Sequence, residues 1–392
     1  RSFTVDSDKL NFTHDSGNNF PISGFSTSSI NAFDVSDPLD VKTITGAVTS
    51  GSGPYTFTFE PPDDGASHSY MVLTSSQILE PHSLLASQPH SLASGDNGAD
   101  WLLITHRDLG WDGSGDPQPW LSDLVDLREA QGYRVKAVDV SHIYDAFSHG
   151  IVSPQAIKDF LAYAYDNWSA PAPKYVLIVG DATYDVKDNW GVGSITYVPS
   201  YLTFTEYLGE TATDQWFVQL SGADALPDIS IGRLPANSVA EAAAMANKII
   251  AYEEADNTKS WEKAVLLVAD NQIEDFETIF ETMNEDAAAM IPAGMDIPSR
   301  FYLEEYEQEL LAVTDLTDDL VNALNTGSLI LNYSGHAGYN MLAGERIWDN
   351  RGFANREDCE LLTNEDKYPL VISMSCLAGY FLYPEPWSAA YS

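Results

Sequence analysis

Hydrophobic residues change their spacing once along this chain, near residue 100. Before it they fall in short alternating runs (FTVDSDKLNFT, YTFTFEP, SYMVLTSSQI), separated by turn signals at Ser16-Gly17, Gly51-Ser52-Gly53-Pro54 and Asp64-Gly65. Alternation with a period of two predicts half-buried strands, so residues 1–95 read as a small all-β, sandwich-like domain, incomplete at its N-terminus. The stretch 83–100 (SLLASQPHSLASGDNGAD) reads as a linker. Beyond it, continuous apolar runs alternate with helical periods. The runs are 101–105, 134–140, 175–179, 229–231, 264–269, 328–333 and 369–374; helices are predicted near 118–131, 154–168, 238–254, 274–290 and 316–326. Ser153-Pro154 supplies an N-cap followed by proline in the first turn. Strand–helix alternation with unbroken apolar strands predicts an α/β region with a mostly parallel sheet and helices on both faces. We divide it into a first α/β subdomain, 96–235, and a second, catalytic one, 236–392, expected to be truncated at its C-terminus. No internal repeat is evident.

Composition narrows the partners. The 392 residues are 44% hydrophobic and 11% aromatic, which fits a globular protein with full cores, and 58 acidic against 19 basic residues give a net charge of −39. Such a polyanion repels nucleic acid and anionic membranes, so neither is expected as a partner. The acids are dispersed rather than gathered in a tail, which suggests a saline or extracellular setting or several divalent-cation sites. No run reaches the roughly 18 apolar residues of a membrane span, and no signal peptide is present. The chain opens at Arg1 within a strand-like run, as expected of a processed piece of a longer precursor.

Chemistry enters at two strand ends. His336 follows SLILNY inside SGHAG, and Cys376 follows PLVISMS. The C-terminal ends of parallel strands are where open α/β sheets bind ligands. A thiol and an imidazole delivered there suggest a cysteine nucleophile with a histidine base. Free cysteine is also a common core residue, but a strand-to-loop exit with Gly379 close behind exposes the sulfur. Among eight histidines only His336 is bracketed by glycines (Gly335, Gly338) after an apolar run; His106, in LLITHRD, is its nearest rival. A third group should orient the imidazole, and Asp270, at the end of AVLLVA, is the first candidate, with Asp181 in VLIVGDATYD as competitor. The other cysteine, Cys359, lies in the charged stretch NREDCELL, so a disulfide framework is not expected.

Five ordered blocks then carry a resemblance: YVLIVGDATYD (175–185), TATDQWFVQLSGADALPDISIGRLPANSVAEAAAMANKIIAYE (211–253), AVLLVADNQIEDF (264–276), NYSGHAG (332–338) and LTNEDKYPLVISMSCLAGYF (362–381). From about residue 100 onward the sequence resembles the gingipain family of cysteine peptidases, on the caspase-like fold. The resemblance implies that Cys376 is the nucleophile, that His336 is the catalytic histidine, and that Asp270 or its neighbours supply the acid behind it. It places Asp275 near the acid that lines the basic-residue pocket, which implies cleavage after Arg or Lys. Two departures stand out: Ala337 replaces the glycine that gingipains carry after the histidine, and the chain stops before the helix and strand that usually follow the cysteine. The backbone N–H groups of Ala337 and Cys376 are the expected oxyanion donors. The chemistry requires no cofactor. Calcium is the structural ion that the resemblance suggests, with SGADALPD (221–228) offering carboxylates and carbonyls but no EF-hand pattern. The expected partners are a protein or peptide substrate and further segments of the chain's own precursor, at an extracellular or cell-surface location. Two other readings are a transpeptidase of a secretion system, in which an amine replaces water, and a non-enzymatic surface protein built on a peptidase scaffold.

Overall fold

A computed structural model describes residues 3–15, 19–80, 91–206, 208–255, 258–306, 313–350 and 357–382. The chain divides into two units, Arg1–Ala86 and Ser87–Ser392.

In the first unit the alternating runs become strands β1 (Phe3–Thr4), β2 (Lys9–Asp15), β3 (Phe20–Phe25), β4 (Ile30–Asp34), β5 (Lys42–Thr43), β6 (Val48–Ser50), β7 (Tyr55–Phe59) and β8 (Ser67–Thr74). They form two four-stranded sheets, ordered β1-β3-β7-β6 and β2-β8-β4-β5. Phe20, Ile22, Phe25, Phe57, Phe59, Tyr70 and Val72 are buried between strands of both sheets. In β3 the buried positions step from Ile22 to Phe25. The register slips between Ser23 and Phe25, and Gly24 absorbs the bulge at φ 99°, which returns Phe25 to the core. Phe20 is the hub of the aromatic core, its ring centroid 5.5 Å from that of Phe3 and 5.2 Å from those of Phe12 and Phe59. Such pairs each add about 0.5–1.5 kcal/mol beyond the area they bury.

On the same unit His68 sits between two carboxylates, with Nδ1 2.7 Å from Asp34 Oδ2 and Nε2 3.1 Å from Asp64 Oδ2. Hydrogen bonds to Asp34 and then Asp64 raise its pKa. Burial pushes Asp34 up, but bonds from Ser36 and His68 outweigh it and hold it below the usual range; the Ala66 amide and then His68 lower Asp64. A raised histidine stabilises the fold fully below its unfolded value of about 6.5, and that contribution is lost as pH rises through the folded value. The lowered carboxylates contribute above about pH 4 and lose that contribution as pH falls. The melting temperature of this unit is therefore expected to fall between pH 6 and pH 9, and His68→Gln should flatten the dependence. A wild-type melting curve as flat as the variant's across that range would refute the clamp.

The second unit begins with β9 (Trp101–Thr105), α1 (Arg107–Gly110), α2 (Pro119–Ala130), β10 (Val135–Asp139), α3 (Val140–Phe147), α4 (Pro154–Asn167) and β11 (Tyr175–Val179). A hairpin, β12 (Leu202–Thr205) and β13 (Gly209–Ala212), precedes β14 (Ser230–Leu234) and α5 (Val239–Glu253). The second half runs β15 (Ala264–Ala269), α6 (Ile279–Met290), β16 (Asp296–Tyr302), α7 (Thr314–Thr326), β17 (Ile330–Ser334), a short β18 (Met341–Leu342) and β19 (Trp348–Asp349) pair, and β20 (Leu370–Met374). The main strands lie in two separate parallel sheets, β10-β9-β11-β14 and β16-β15-β17-β20. The two have the same order, second-first-third-fourth, so the halves repeat a topology that their sequences do not reveal.

Continuous apolar strands arise because both faces are covered. In the first sheet Leu102 and Ile104 face Ile157, Phe160 and Leu161 of α4, while Trp101 and Leu103 pack with Trp120, Leu121 and Leu124 of α2 and Ala242 and Ala246 of α5. In the second, Leu266 and Val268 meet Leu316, Leu320 and Leu324 of α7, and Val265, Leu267 and Ala269 meet the α6 side. Each fully buried Leu, Ile or Phe is worth about 1.5–3 kcal/mol. Ser153 caps α4 as expected, its side chain accepting from Gln155 N at 3.2 Å. Several elements escaped the sequence reading, among them α1, α3, the β12–β13 hairpin, β16 and the β18–β19 pair. The run 134–140 carries its last residue into α3, which Asp139 caps by accepting from Ser141 N at 2.9 Å. The edge strand β16 is interrupted by Asp296, Pro298 and Arg300, and only its last two residues are buried. The apolar strand β20 is also an edge strand, with all five residues exposed. No helix among the described residues is long and apolar enough to cross a membrane.

Candidate active site

Three strands of the second sheet end level with one another. Ala269 of β15 pairs with Ser334 of β17, and Ser334 with Met374 of β20. Asp270 is the next residue on the first strand, His336 lies two residues on along the second, and Cys376 two residues on along the third. In this order successive strands are added to one side of β15 and then, from β17 on, to the other, so the switch point where such sheets open a crevice lies between β15 and β17. Parallel register alone therefore brings the thiol, the imidazole and a carboxylate to one edge. Gly335 N donates to Met374 O at 3.3 Å and ties the histidine loop to the cysteine strand. Both cysteines are free and exposed.

The backbone of His336 is clamped on both sides. Its N–H donates to Asp270 Oδ2 at 3.0 Å, and its carbonyl accepts from the Tyr333 hydroxyl and from Ala343 N at 2.8 Å. Gly335 is required here, because a Cβ would stand 2.5 Å from both Asp270 Cβ and the Tyr333 hydroxyl. Asp270 is buried. Burial raises its pKa, against the lowering effect of bonds from the amides of His336 and Asn271.

The ring itself does not meet Asp270. Its Nε2 lies 2.8 Å from Glu277 Oε1, and Phe280 packs edge-on at 5.3 Å. This corrects the assignment of Asp270 as the acid behind the imidazole: Asp270 holds the histidine's main chain, and Glu277 holds its side chain. The physical reason is direction. Asp270 sits directly at the strand end, beneath the loop, where its short side chain reaches only the amide. Glu277 comes from the 3-10 turn Asp275–Thr278 above it. Its second oxygen accepts from the amides of Ile273 and Glu274, each at 2.6 Å, so one buried carboxylate fixes both the ring and the loop that carries it. The bond to His336 and then the Glu274 amide lower the Glu277 pKa. An ionised Glu277 requires the proton on Nε2, which leaves Nδ1 as the free base. Three acids fall within four residues of that turn (Glu274, Asp275, Glu277), and the E-x-x-E spacing signals a glutamate folding back on its own first turn; nothing in it announces His336, 59 residues away.

The remaining candidates are placed as follows. Asp275 is exposed, two residues from Glu277. Ala337 pairs with Leu342 in an isolated bridge whose flanking bonds, Gly338 N to Met341 O and Ala343 N to His336 O, leave the Ala337 N–H outside the ladder. Asp181 accepts from Ala182 N and Asn237 Nδ2 in the first half, and His106 caps α1 by accepting from Asp108 N. The loop 221–228 uses its carboxylates on its own backbone: Asp228 accepts from Leu220 N and Ser221 N, and Asp224 from Leu226 N. Among the described residues no three His, Cys, Asp or Glu side chains are grouped to hold a metal ion.

A thiol, an imidazole and an ionised carboxylate on one edge of a parallel sheet are the parts of a cysteine-nucleophile site. Residues 94–391 match the profile described as Peptidase family C25, and the chain belongs to that family. It is 23% identical over 271 residues to Gingipain R2 of Porphyromonas gingivalis (strain ATCC BAA-308 / W83), covering 68% of this chain and 31% of the relative. It is 22% identical to Gingipain R1 of Porphyromonas gingivalis over the same length, covering 23% of that relative. The chain thus spans about a third or less of these curated relatives. Among solved structures it resembles the Arg specific cysteine proteinase gingipain R, with a TM-score of 0.50 at 19% identity over 76% of this chain and 58% of that one. A second structure, described only as a protease, gives 0.53 at 19% identity over 73% and 54%. These likenesses establish the expected fold, the caspase-like α/β arrangement.

Replacing Glu277 by Gln keeps the shape but removes the charge that holds the ring tautomer. Glu277→Gln is expected to lower kcat/KM by about 10²-fold or more while leaving the melting temperature close to wild type. Asp270→Asn should act through stability first. Equal activity in Glu277→Gln and wild type would show that the imidazole is oriented by another group.

Proposed function

We propose that the protein is a cysteine endopeptidase that cleaves protein or peptide chains through a thioester. The observation that carries this is the common register of Ser334 and Met374, which sets His336 and Cys376 the same distance beyond adjacent strands, together with the Glu277–His336 bond. Nδ1 of His336 takes the thiol proton, and the Cys376 sulfur attacks the scissile carbonyl carbon. The carbonyl electrons move to the oxygen, where the N–H groups of Ala337 and Cys376 are suited to receive them, each worth about 3–4 kcal/mol. The C–N bond breaks as the imidazolium returns its proton to the leaving amine. Water, deprotonated by the same imidazole, then opens the thioester. An amine in place of water turns the same steps into transpeptidation.

An Arg or Lys preference at the residue before the cleaved bond is supported by the Arg specificity named for the related gingipain R and by Asp275 close to the histidine turn. The acid excess supports an extracellular or cell-surface location, where segments of the protein's own precursor are also available as substrates.

The test is hydrolysis of fluorogenic peptides that differ at that residue, run beside Cys376→Ala. Wild type should cleave, and the variant should be inactive with an unchanged circular dichroism spectrum. Asp275→Ala should reduce turnover of Arg and Lys peptides more than the others; an equal loss on all would remove Asp275 from the pocket. Turnover that survives Cys376→Ala would exclude the thioester route.

A further inference from the structure

We infer that Phe381 and Arg233 form a clasp that positions Cys376; the inference rests on the proposed role of Cys376 as nucleophile. The loop after β20 is tied to a different half of the unit at each end. Upstream, Met374 O accepts from Gly335 N, and the Ser373 and Ser375 hydroxyls share a 2.7 Å bond, all within the second half. Downstream, two side chains reach the first half. Tyr380 shares a side-chain hydrogen bond with Tyr184, the Phe381 ring centroid lies 5.0 Å from the Arg233 guanidinium carbon, and Leu382 is 1% exposed. The thiol therefore hangs between two anchors, one on each half.

Arg233, on β14, has all its N–H groups engaged within the first half. Its Nε and one terminal nitrogen donate to Asp214 at 2.6 and 2.9 Å. The remaining N–H groups go to the carbonyls of Gly180 and Val198, both at 2.7 Å, and of Pro199 at 3.3 Å. A guanidinium has five N–H donors, and these contacts use all of them in the plane. Ser200 Oγ fixes Asp214 in turn, at 2.8 Å. The Arg233 side chain is 4% exposed. With the in-plane donors engaged, only the flat faces remain, and an aromatic ring is the partner a guanidinium face attracts. The Arg233 guanidinium carbon lies over the Phe381 ring. The first half thus acts on the nucleophile loop through this contact. It supplies a rigid plate against which the nucleophile loop is registered, and so sets how the sulfur stands relative to Nδ1 of His336. Misplacement of a reacting group by about 1 Å costs on the order of 10²-fold in rate.

The experiment uses the full chain carrying Cys359→Ala, so that Cys376 is the only thiol. The pH dependence of its alkylation by iodoacetamide is measured for the parent, Phe381→Ala, Phe381→Leu and Phe381→Tyr, alongside kcat and KM on a cleaved peptide. In the parent the alkylation midpoint should lie well below the ordinary thiol value of about 8.5. Phe381→Ala should move it back toward that value and lower kcat by about 10-fold or more, with KM little changed. Phe381→Leu keeps an apolar side chain in place without a ring face, so it should show the same shift even where Ala unfolds the loop. Phe381→Tyr should restore both readings. A folded Phe381→Leu with the parent's midpoint and kcat would overturn the clasp alone. An ordinary midpoint in the parent would instead overturn the thiolate–imidazole reading, and the clasp with it.

Discussion

The site depends on three parallel strands ending in register. Ala269, Ser334 and Met374 are lateral partners, and adjacent strands lie about 4.8 Å apart, so whatever follows them emerges along one line. Side chains alternate faces along a strand, and a one-residue slip would turn each of them to the other side. The register is held by burial. Leu266 and Val268 must face α7 while Val265, Leu267 and Ala269 face the α6 side, and a slip would exchange two packed clusters. The position of the imidazole relative to Asp270 is thus a consequence of core packing well below it, while the exposed strand β20 takes its register from its pairing with β17.

The two halves of the α/β unit show what the site adds to that scaffold. Both sheets have the same strand order, and in the first half the residues just past the equivalent central strands are His106 and Asp181. There they serve structure: His106 caps a helix, and Asp181 bonds Asn237. The same kind of position in the second half carries Asp270 and His336. The difference lies in the loop after β15, which brings Glu277 back over the sheet edge onto the ring. Chemistry is specified by that returning turn, and the sheet supplies only the platform.

Much of this was legible in the chain. The apolar runs at 101–105, 175–179 and 264–269 are strands with those limits, because strands covered on both faces need no polar alternation. His336 and Cys376 were visible as reactive residues at strand ends, and strand ends are readable from hydrophobicity. The orienting acid was not. Asp270 is the residue that strand-end logic selects, and it does bond His336, but at the amide. Which carboxylate meets the ring depends on the path of the loop from Asn271 to Thr278. That path is set by hydrogen bonds from Ile273 and Glu274 to Glu277, and periodicity carries no record of them. The edge strand β16 was missed for a related reason: strands buried on one end only can carry Asp296 and Arg300, and so lose the pattern that marks a core strand.

The acid excess also reads differently once the structure is known. The dispersed acids repeatedly accept backbone N–H groups. Asp112 accepts from Ser114 and Asp116, Asp185 from Asn189 and Trp190, Asp228 from Leu220 and Ser221, and Glu277 from Ile273 and Glu274. An amide donor stabilises the ionised form without adding positive charge, and at Asp185 and Glu277 such donors help to hold the carboxyl below the usual range. Scarce cations are then free for positions where a flat, permanent charge matters, as for Arg233 beneath Phe381. Glu277 shows the same economy at the site. The bond to His336 and then the Glu274 amide hold its carboxyl below the usual range, which favours the His336 tautomer with the proton on Nε2.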